Sequence, residues 1–308
     1  GEEMGIVPYI MPGFQLAQKA AEVFEHNPKV KGLILLNHGI FTFADDAKES
    51  YELMIKYISL AEKELKQKSK SIRVKKYQEK KITASLIANL IRQQISIKAN
   101  QQIDRKVVYF HKPNFLDEFF SHPKLKQFTT QGPVTPDHVI RIKSKPLLID
   151  LSDEKSLNLE SKIIKAIQKY QDDYQKYFKR NHKYNLKANM LDPYPRLIVV
   201  KGIGMFSTGP SLKDAKIAMD VGLNSLSVIL EAAKFGEFRS IPEKEIFKME
   251  YWPLERAKLN SKKRKKFEGN ICIITGGAGK IGSAIAKKFI NEKIEVILFD
   301  KNFNNLDQ

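Results

Sequence analysis

The clearest hydrophobic pattern in the chain begins with an unbroken apolar run at residues 33–36, which Asn37 and Gly39 close. A short apolar run that ends in turn-forming residues predicts a buried strand and then a tight turn around His38. After a short aromatic stretch, two aspartates precede apolar residues at helical spacing, which predicts a helix. The apolar positions of this helix are Ala47, Tyr51, Ile55 and Ile58.

A second copy of this pattern occupies residues 197–219. In this copy, Ile203 aligns with His38. The pair Ser211 and Asp214 predicts a capping box at the start of the second helix. An internal repeat indicates a duplicated supersecondary unit or domain. Because a side chain able to bind metal or move protons is replaced by an apolar one, we expect the second copy to support packing.

The rest of the chain reads as alternating helices and strands, which indicates an α/β fold. We expect an irregular segment at 1–13 and a rigid loop at 132–138. The predicted helices lie at 14–25, 82–95, 114–120, 157–178 and 221–233, and the predicted strands at 107–110, 139–142 and 147–151.

Residues 267–300 carry a different pattern, in which a glycine-rich loop separates a strand from a helix. The predicted order is a buried strand at 271–274, the loop at 276–282, a helix at 283–291, and a strand at 295–299 that ends in Asp300. This order is a βαβ unit with its loop where a dinucleotide would bind.

The loop fits the spacing G-x-G-x-x-G at Gly277, Gly279 and Gly282. Gly277 permits the tight turn, Gly279 lets a pyrophosphate approach the backbone, and Gly282 allows close packing of helix and strand. The helix N-terminus would offer N–H donors to the phosphates. Asp300 would accept a hydrogen bond from the ribose and repel a 2′-phosphate, which favours NAD over NADP.

Composition bounds the classes of protein. The 308 residues suggest about two domains, and one cysteine, Cys272, fits a reducing cytoplasm. No apolar run reaches membrane-spanning length. The net charge of +18 fits a lysine-rich surface, with phosphorylated substrates or anionic cofactors as a second explanation. Nucleic acid is not expected, because the basic runs lack interleaved aromatic residues or glycines.

The chain begins with Gly1 in mid-pattern and closes at Gln308 just after a strand, so we expect a fragment of a longer polypeptide. We divide it into a first unit at 1–68, a basic linker at 69–81, a second unit at 82–260, and a βαβ segment at 261–308.

The sequence TGGAGKIG, from Thr275 to Gly282, resembles the nucleotide signature of short-chain dehydrogenases/reductases. The resemblance implies that NAD binds at Thr275, Gly276, Gly277, Gly279, Lys280, Ile281, Gly282 and Asp300. Many members have a glycine where this chain has Lys280, and the spacing here resembles the extended variant. The catalytic Tyr-x-x-x-Lys pair would lie beyond the chain, and Tyr77 with Lys81, which has that spacing, precedes the nucleotide segment.

His38-Gly39 in its strand–helix context, together with VPYIMPGF upstream, resembles the class II aldolase/adducin family. The resemblance implies that His38 is one of three histidines that hold a divalent metal, usually zinc. The ion would polarise a ketose carbonyl and stabilise the enediolate. Tyr9 matches a family tyrosine that delivers a proton to the aldehyde product. The other two histidines and a glutamate would lie before Gly1.

The order of these segments, with GPVTPDHVIRIK and EYWPLERAKL in the second unit, resembles the bifunctional rhamnulose-phosphate aldolase/lactaldehyde dehydrogenase family. The resemblance implies a class II aldolase/adducin-like α/β/α region with a degenerate second copy, then the first βαβ of a Rossmann fold. It implies a cytoplasmic homo-oligomer that cleaves a sugar phosphate and oxidises the aldehyde with NAD. His138 either echoes the missing histidine pair or is a loop residue.

Two alternatives stay open. The first is an NAD-dependent short-chain dehydrogenase whose aldolase-like part is a non-catalytic scaffold, as in adducin. The second is a non-enzymatic module that binds through its positive surface, for which steeply salt-dependent binding of nucleic acid is expected.

Overall fold

The computed structural model describes residues 2–68, 74, 83–99, 102–151, 159–259 and 265–301. Most of the predicted linker at 69–81, including Tyr77 and Lys81, lies outside the described residues. None of the helices within these ranges combines the length and apolar character needed to cross a bilayer.

The first unit is a three-stranded sheet with a helix after its first and last strands. Its elements are β1 (Met4–Val7), α1 (Phe14–His26), β2 (Gly32–Leu35), β3 (Gly39–Thr42) and α2 (Ala47–Lys68). The strand order is β1-β2-β3, with β1 parallel and β3 antiparallel to β2. The predicted aromatic stretch after His38 is therefore β3, the second strand of a hairpin.

The expectation of an irregular segment at 1–13 is wrong for β1. The strand is four residues long and contains Gly5, so it carries little local signal. Tertiary packing explains the glycine, because a Cβ at Gly5 would lie 2.5 Å from the side chain of Leu33. Val7 of the same strand is fully buried in the core of this unit.

The second unit has a four-stranded sheet in the order β6-β9-β8-β7, in which β7 and β8 are parallel and the other pairs antiparallel. Its first elements are α3 (Ala84–Ile95), β4 (Ile97–Ala99), β5 (Gln102–Asp104), β6 (Val107–His111), α4 (Leu116–Ser121), α5 (Leu125–Phe128) and α6 (Val139–Ile142). They are followed by β7 (Leu147–Asp150), α7 (Leu159–Asn181), β8 (Leu197–Lys201), β9 (Gly204–Gly209), α8 (Leu212–Ala233), α9 (Glu243–Glu250) and α10 (Pro253–Ala257).

Successive residues of β8 enter two different cores, which makes this unit an α/β/α sandwich. Leu197 and Val199 join the core beneath α4, α5 and α8. Ile198 and Val200 join the core beneath α3 and α7. A strand whose side chains are buried on both faces reads as a continuous apolar run, and this explains why its sequence predicted it well.

The predicted strand at 139–142 is a short helix, α6, so that expectation is wrong. β-branched residues favoured a strand, but Pro136 and Asp137 begin a 3-10 turn that leads directly into α6. Val139 and Ile142, three residues apart, are the buried positions, which fits helical spacing. Likewise, the helices predicted after Ser211 and at 221–233 are one helix, α8.

The two hairpins share their turn geometry, which confirms the predicted repeat. The N–H of His38 donates to the carbonyl of Leu35 at 3.0 Å, and the N–H of Ile203 donates to the carbonyl of Val200 at 3.0 Å. The residues before them, Asn37 and Gly202, have φ values of 57° and 80°. These are residue types that tolerate a left-handed conformation. The order strand–helix–hairpin–helix also recurs, as β1-α1-β2-β3-α2 and β7-α7-β8-β9-α8.

The last described segment forms the expected βαβ order, with β10 (Ile271–Thr275), α11 (Lys280–Asn291) and β11 (Glu295–Phe299). The two strands are parallel, with Thr275 opposite Phe299. The prediction that β10 is buried is wrong in this structure, since Ile271 and Ile273 are 44% and 62% exposed. Within the described residues β11 is the one strand paired with β10, and α11 packs on one face of the pair, so the face that carries Ile271 and Ile273 is uncovered.

Candidate functional site

The fold brings Tyr9 and His38 to one edge of the first sheet. β1 and β2 run parallel, with Val7 opposite Leu35, and the N–H of Leu36 donates to the carbonyl of Val7 at 3.0 Å. Tyr9 and His38 follow directly where these strands end. The carboxyl ends of parallel strands are where sites on α/β sheets are usually built.

Part of the second unit packs against this edge. Tyr9 contacts an apolar group that we call the interface cluster, which consists of Val139, Ile241, Ile246 and Met249, with Met11 and Trp252 packed beside it. The side-chain amide of Asn37 donates to the carbonyl of Arg239 at 3.0 Å. The candidate site therefore lies between the two units.

Tyr9 and His38 each carry a buried polar atom that lacks a partner. Among the described residues, neither Tyr9 Oη nor His38 Nδ1 makes a hydrogen bond. Leaving such an atom unsatisfied costs about 1–3 kcal/mol, so a ligand or solvent partner would be stabilising here. Burial raises the pKa of Tyr9 to about 12, and nearby Glu245 and Asp137 act in the same direction. Tyr9 is thus protonated at neutral pH and able to donate a proton.

The described residues do not complete a metal site around His38. No group of three or more His, Cys, Asp or Glu side chains suited to a metal ion occurs within the described ranges. His38 contributes one imidazole, and a zinc site needs at least three protein ligands. The zinc expectation therefore rests on the resemblance.

In the second unit, the residue equivalent to His38 lies in a hydrophobic core. Ile203 takes the same place in its hairpin turn and is 8% exposed. It packs in the cluster that also contains Ile149 and Val200. This agrees with the expectation that the second copy supports packing.

The residue equivalent to Tyr9 in the second unit is also an aliphatic core residue. Tyr9 lies two residues after the β1 residue that pairs with Leu35. In the second unit, Leu151 lies two residues after Ile149, the partner of Val200. Leu151 is 3% exposed and belongs to the same core as Ile203. The second copy has thus replaced both polar side chains of the candidate site by packed aliphatic ones.

The glycine loop forms a second candidate site at the carboxyl end of β10. Gly276 adopts a φ of 69°, and the N–H of Gly277 donates to the carbonyl of Phe299 at 3.1 Å, which joins the loop to β11. Gly279 is the N-cap residue of α11 and has no side chain that could cap the helix. The first N–H groups of a helix have no intrahelical acceptor, an arrangement suited to binding an anion.

Close contacts explain two of the loop glycines. A Cβ at Gly282 would lie 2.2 Å from the carbonyl oxygen of Gly276, and one at Gly277 would lie 2.8 Å from Leu298 Cβ. At Gly279, by contrast, a Cβ would meet only the Gly276 oxygen, at 3.2 Å. Packing therefore requires Gly277 and Gly282, whereas a Cβ at Gly279 would be crowded by a single oxygen atom.

Asp300 holds the loop from the end of β11. Its Oδ2 accepts a hydrogen bond from the N–H of Ala278 at 2.9 Å. The exposed members of the predicted set are Thr275, Gly276, Gly279, Lys280 and Ile281. The structure thus brings all eight predicted nucleotide-binding residues to the loop, the ends of its two flanking strands and the first turn of α11. The helix begins at Lys280, three residues before the predicted start at 283, so the loop is shorter than expected.

Three other histidines differ in their exposure. His26 is exposed, but His122 is only 8% exposed and accepts from the N–H of Lys124 at 3.0 Å. Local sequence gave no sign of this burial, which comes from packing on Phe128. His138 lies in the 3-10 turn before α6, and its Nδ1 is 2.8 Å from Ser225 Oγ. Burial lowers the pKa of His138.

A buried polar network in the second unit escaped the sequence analysis. Glu250 is 1% exposed, and its carboxylate accepts hydrogen bonds from Tyr174 at 2.7 Å and Tyr177 at 2.9 Å. Lys143 lies over the ring of Tyr174. Glu250 is the first residue of the segment EYWPLERAKL, which carries part of the family resemblance, but no local pattern indicates that this glutamate is buried.

Duplicated sheet-and-hairpin units with polar residues at a strand edge, followed by a glycine loop on a βαβ unit, define an enzyme-like α/β protein. Residues 82–259 match the family model described as "Aldolase class II, second domain". Residues 1–65 match the "Class II Aldolase and Adducin N-terminal domain". The chain belongs to the class II aldolase/adducin family.

A curated relative is similar along almost the whole chain. It is the "Uncharacterized oxidoreductase YuxG" of Bacillus subtilis (strain 168), which is 30% identical over 308 residues. The match covers 96% of this chain and 44% of the relative, so the chain spans less than half of that protein. No solved structure matches the chain. Membership of an aldolase family and similarity to a protein named as an oxidoreductase both support an enzyme.

Proposed function

We propose that this chain is part of a bifunctional enzyme that cleaves a ketose phosphate by an aldol reaction and oxidises the aldehyde product with NAD. The observation that carries the proposal is the glycine loop of the βαβ unit, held by Asp300, in a chain that belongs to the class II aldolase/adducin family. A deoxyketose phosphate such as rhamnulose 1-phosphate is the proposed substrate, on the basis of the resemblance described above.

The βαβ segment is proposed to be the first part of a Rossmann fold. Its exposed aliphatic residues support this, because Ile271, Ile273 and Ile297 are 44%, 62% and 46% exposed. A larger parallel sheet has helices over both faces, and these would bury such residues. We propose the domain division of 1–68, 69–81, 82–260 and 261–308 on the same grounds.

The residues of the loop fit a dinucleotide. Gly279 has no Cβ to keep a ligand from the backbone, and the start of α11 offers N–H donors. NAD would supply hydride acceptance, and this chain would supply phosphate binding and, through Asp300, discrimination against a 2′-phosphate.

For the aldol half, Tyr9 is the proposed proton donor and His38 a proposed metal ligand. Each has a buried polar atom at the same sheet edge that makes no hydrogen bond within the described ranges, which supports a role in ligand binding. The described residues offer too few ligands to hold a metal by themselves. A zinc site that includes His38 therefore requires side chains from elsewhere in the full-length protein, and we assign no reaction step to the ion.

Fluorescence titration with NADH tests the nucleotide site directly. Gly279→Ala should weaken binding by about tenfold or more, because its methyl group would occupy the space a pyrophosphate needs. Gly236→Ala is the matched control, since a Cβ there meets nothing within 4 Å. If the full-length protein does not bind NADH, or both variants bind equally well, the dehydrogenase half of the proposal is wrong.

A second candidate function is an NAD-dependent short-chain dehydrogenase with a non-catalytic aldolase-like scaffold. The replacement of both site residues by Leu151 and Ile203 favours it, because these two positions of the second copy belong to a hydrophobic core and carry no polar group. Release of dihydroxyacetone phosphate from rhamnulose 1-phosphate separates the two candidates. Cleavage that a metal chelator abolishes supports the bifunctional enzyme, whereas aldehyde oxidation without cleavage supports the scaffold.

A further inference from the structure

Lys143 has a backbone conformation that is normally reserved for glycine. It follows α6 with a φ of 61° and a ψ of −176°. In this region a Cβ is strained, so residues other than glycine occur there only when their surroundings hold them. Such strain is concentrated at functional sites, which is consistent with a functional role of the Lys143 side chain.

The side chain of Lys143 is also in an unusual environment. The residue is 3% exposed, its Nζ donates to the carbonyl of Asp192, and the same atom lies 3.7 Å from the centre of the Tyr174 ring. Burial lowers the pKa of Lys143 to about 7, with Arg196 acting in the same direction and Asp192 and Glu250 opposing it. A buried lysine with strained backbone is costly to stability, so packing alone does not explain it.

Lys143 lines a cavity of about 1180 Å³ between the second unit and the βαβ unit. This volume is close to the upper end of small-molecule pockets, roughly 300–1,000 Å³. The side chains around it include nine lysines and arginines and five carboxylates. An excess of positive charge around the cavity favours an anionic ligand.

Arg196 gives the cavity an unused donor. Its guanidinium forms an ion pair with Asp192 through Nη2, but its buried Nη1 has no hydrogen-bond partner among the described residues. Burial would raise the pKa of Asp192, yet Arg196 and Lys143 together lower it well below its usual range. Asp192 is therefore ionised, and Nη1 of Arg196 can donate a hydrogen bond to another acceptor.

The N-terminus of α8 also borders the cavity but is already occupied. The N–H of Leu212 donates to Glu295 Oε1 at 2.7 Å, and the N–H of Asp214 donates to Ser211 Oγ at 3.1 Å. An anion at this end would meet the carboxylate of Glu295. The donors considered for a ligand are therefore those of Lys143 and Arg196, which also line the cavity.

We propose that this cavity is a binding site for the phosphate group of a small phosphorylated metabolite, with Lys143 and Arg196 as its donors. It is separate from the Tyr9–His38 edge and from the glycine loop, and it does not depend on the proposed function. A compact anion suits the site better than a polyanion, because the two donors are single buried side chains and not a row of exposed lysines.

Calorimetric titration of the full-length protein with sulfate and with inorganic phosphate tests the proposal. Sulfate keeps its charge between pH 6 and 8.5, so any change in its affinity reports on the protein. We expect binding to weaken about tenfold over this range, as Lys143 loses its proton. The other charged groups that face Lys143 are Asp192, Arg196, Glu250 and Arg256.

Lys143→Met should abolish most of the pH dependence and weaken sulfate binding at pH 6 about tenfold. Lys213→Met is the matched control, because Lys213 lines the same cavity but is exposed, and its loss should change affinity less than twofold. If Lys143→Met does not fold, Lys143→Gly provides the residue that this backbone favours. The pH dependence of the wild-type protein tests the proposal without any variant.

Three results would overturn the proposal. One is sulfate affinity that does not change between pH 6 and 8.5. Another is equal weakening by Lys143→Met and Lys213→Met, which would mean a diffuse positive surface. The third is preferential, steeply salt-dependent binding of a DNA oligonucleotide over phosphate, which would place the ligand on exposed lysines.

Discussion

At the residue scale, the candidate sites depend on single polar atoms whose partners differ. Tyr9 Oη and His38 Nδ1 are buried and have no hydrogen-bond partner among the described residues, whereas Asp300 Oδ2 accepts a hydrogen bond from the N–H of Ala278 at 2.9 Å. The first two atoms indicate where a ligand would be stabilising. Asp300 instead combines two roles in the proposed function, holding the loop and contributing charge to the nucleotide site.

These two roles of Asp300 can be separated by Asp300→Asn. The amide oxygen can still accept from Ala278, but the negative charge is gone, so NADP should no longer be repelled. We expect the ratio of NADP to NAD dissociation constants to fall about tenfold, or about 1.4 kcal/mol, in a fluorescence titration. Asp220→Asn, which removes an exposed charge from α8, should leave the ratio unchanged. An unchanged ratio in Asp300→Asn would contradict a role in cofactor choice.

Lys143 should make stability depend on pH. Its pKa of about 7 in the folded protein lies below the ordinary lysine value of 10.5. Between these values the unfolded chain binds a proton that the folded protein does not. Lys143 therefore adds up to about 1.4 kcal/mol of stability per pH unit as pH rises from 7 towards 10, and this contribution is lost as pH falls through 7.

Urea unfolding at pH 7.5 and 9 measures this contribution. The wild-type free energy of unfolding should rise more between these values than that of Lys143→Met, by about 1–2 kcal/mol. Lys213→Met, which removes an exposed lysine, should keep the wild-type slope. Parallel slopes in wild type and Lys143→Met would mean that the amine is ordinarily basic in the folded protein.

Residues with local signals were predictable, whereas those defined by burial were not. His38 stood out because it ends an apolar strand, and the loop glycines because of their spacing. Lys143 is one lysine in a basic segment, and neither its conformation nor its burial has a local signature. Both arise from contacts with Asp192 and Tyr174, which are distant in sequence.

At the element scale, the strongest local signals gave the correct elements. β8 is apolar throughout because both of its faces are covered, and α8 begins at the predicted cap, where Ser211 Oγ accepts from the N–H of Asp214 at 3.1 Å. β1 was missed because a four-residue strand containing Gly5 has little signal of its own. α6 was misread because the β-branched residues Val139 and Ile142 favour strands.

The cap of α8 should contribute measurably to stability. Ser211→Ala removes the acceptor of one N-terminal N–H, which typically costs about 1 kcal/mol. Ser227→Ala is the matched control on the same helix, where the hydroxyl donates back to the carbonyl of Asn224 and caps nothing. Urea unfolding should show a lower midpoint for Ser211→Ala and a change within about 0.5 kcal/mol for Ser227→Ala. Equal midpoints would mean that solvent replaces the cap without loss.

At the scale of the whole molecule, the repeat could be predicted from the sequence, but the packing of the second copy against the first could not. Similar hairpins revealed two copies of one unit, and Ile203 in place of His38 indicated that the second copy supports packing. The sequence contains no sign that the second unit also covers the edge carrying Tyr9. That contact depends on the interface cluster, whose members come from three separate segments of the chain.

The interface cluster should therefore couple the two units. Met249 is fully buried in it, so Met249→Ala should lower the free energy of unfolding by about 2–5 kcal/mol. Because Trp252, the only tryptophan, packs beside the cluster, its emission should also shift to longer wavelength. Leu186→Ala, at a residue that is 76% exposed, should change neither quantity. An unchanged free energy of unfolding would contradict a role of Met249 in the cluster, and the edge at Tyr9 would then have to be held by the hydrogen bond from Asn37 to Arg239.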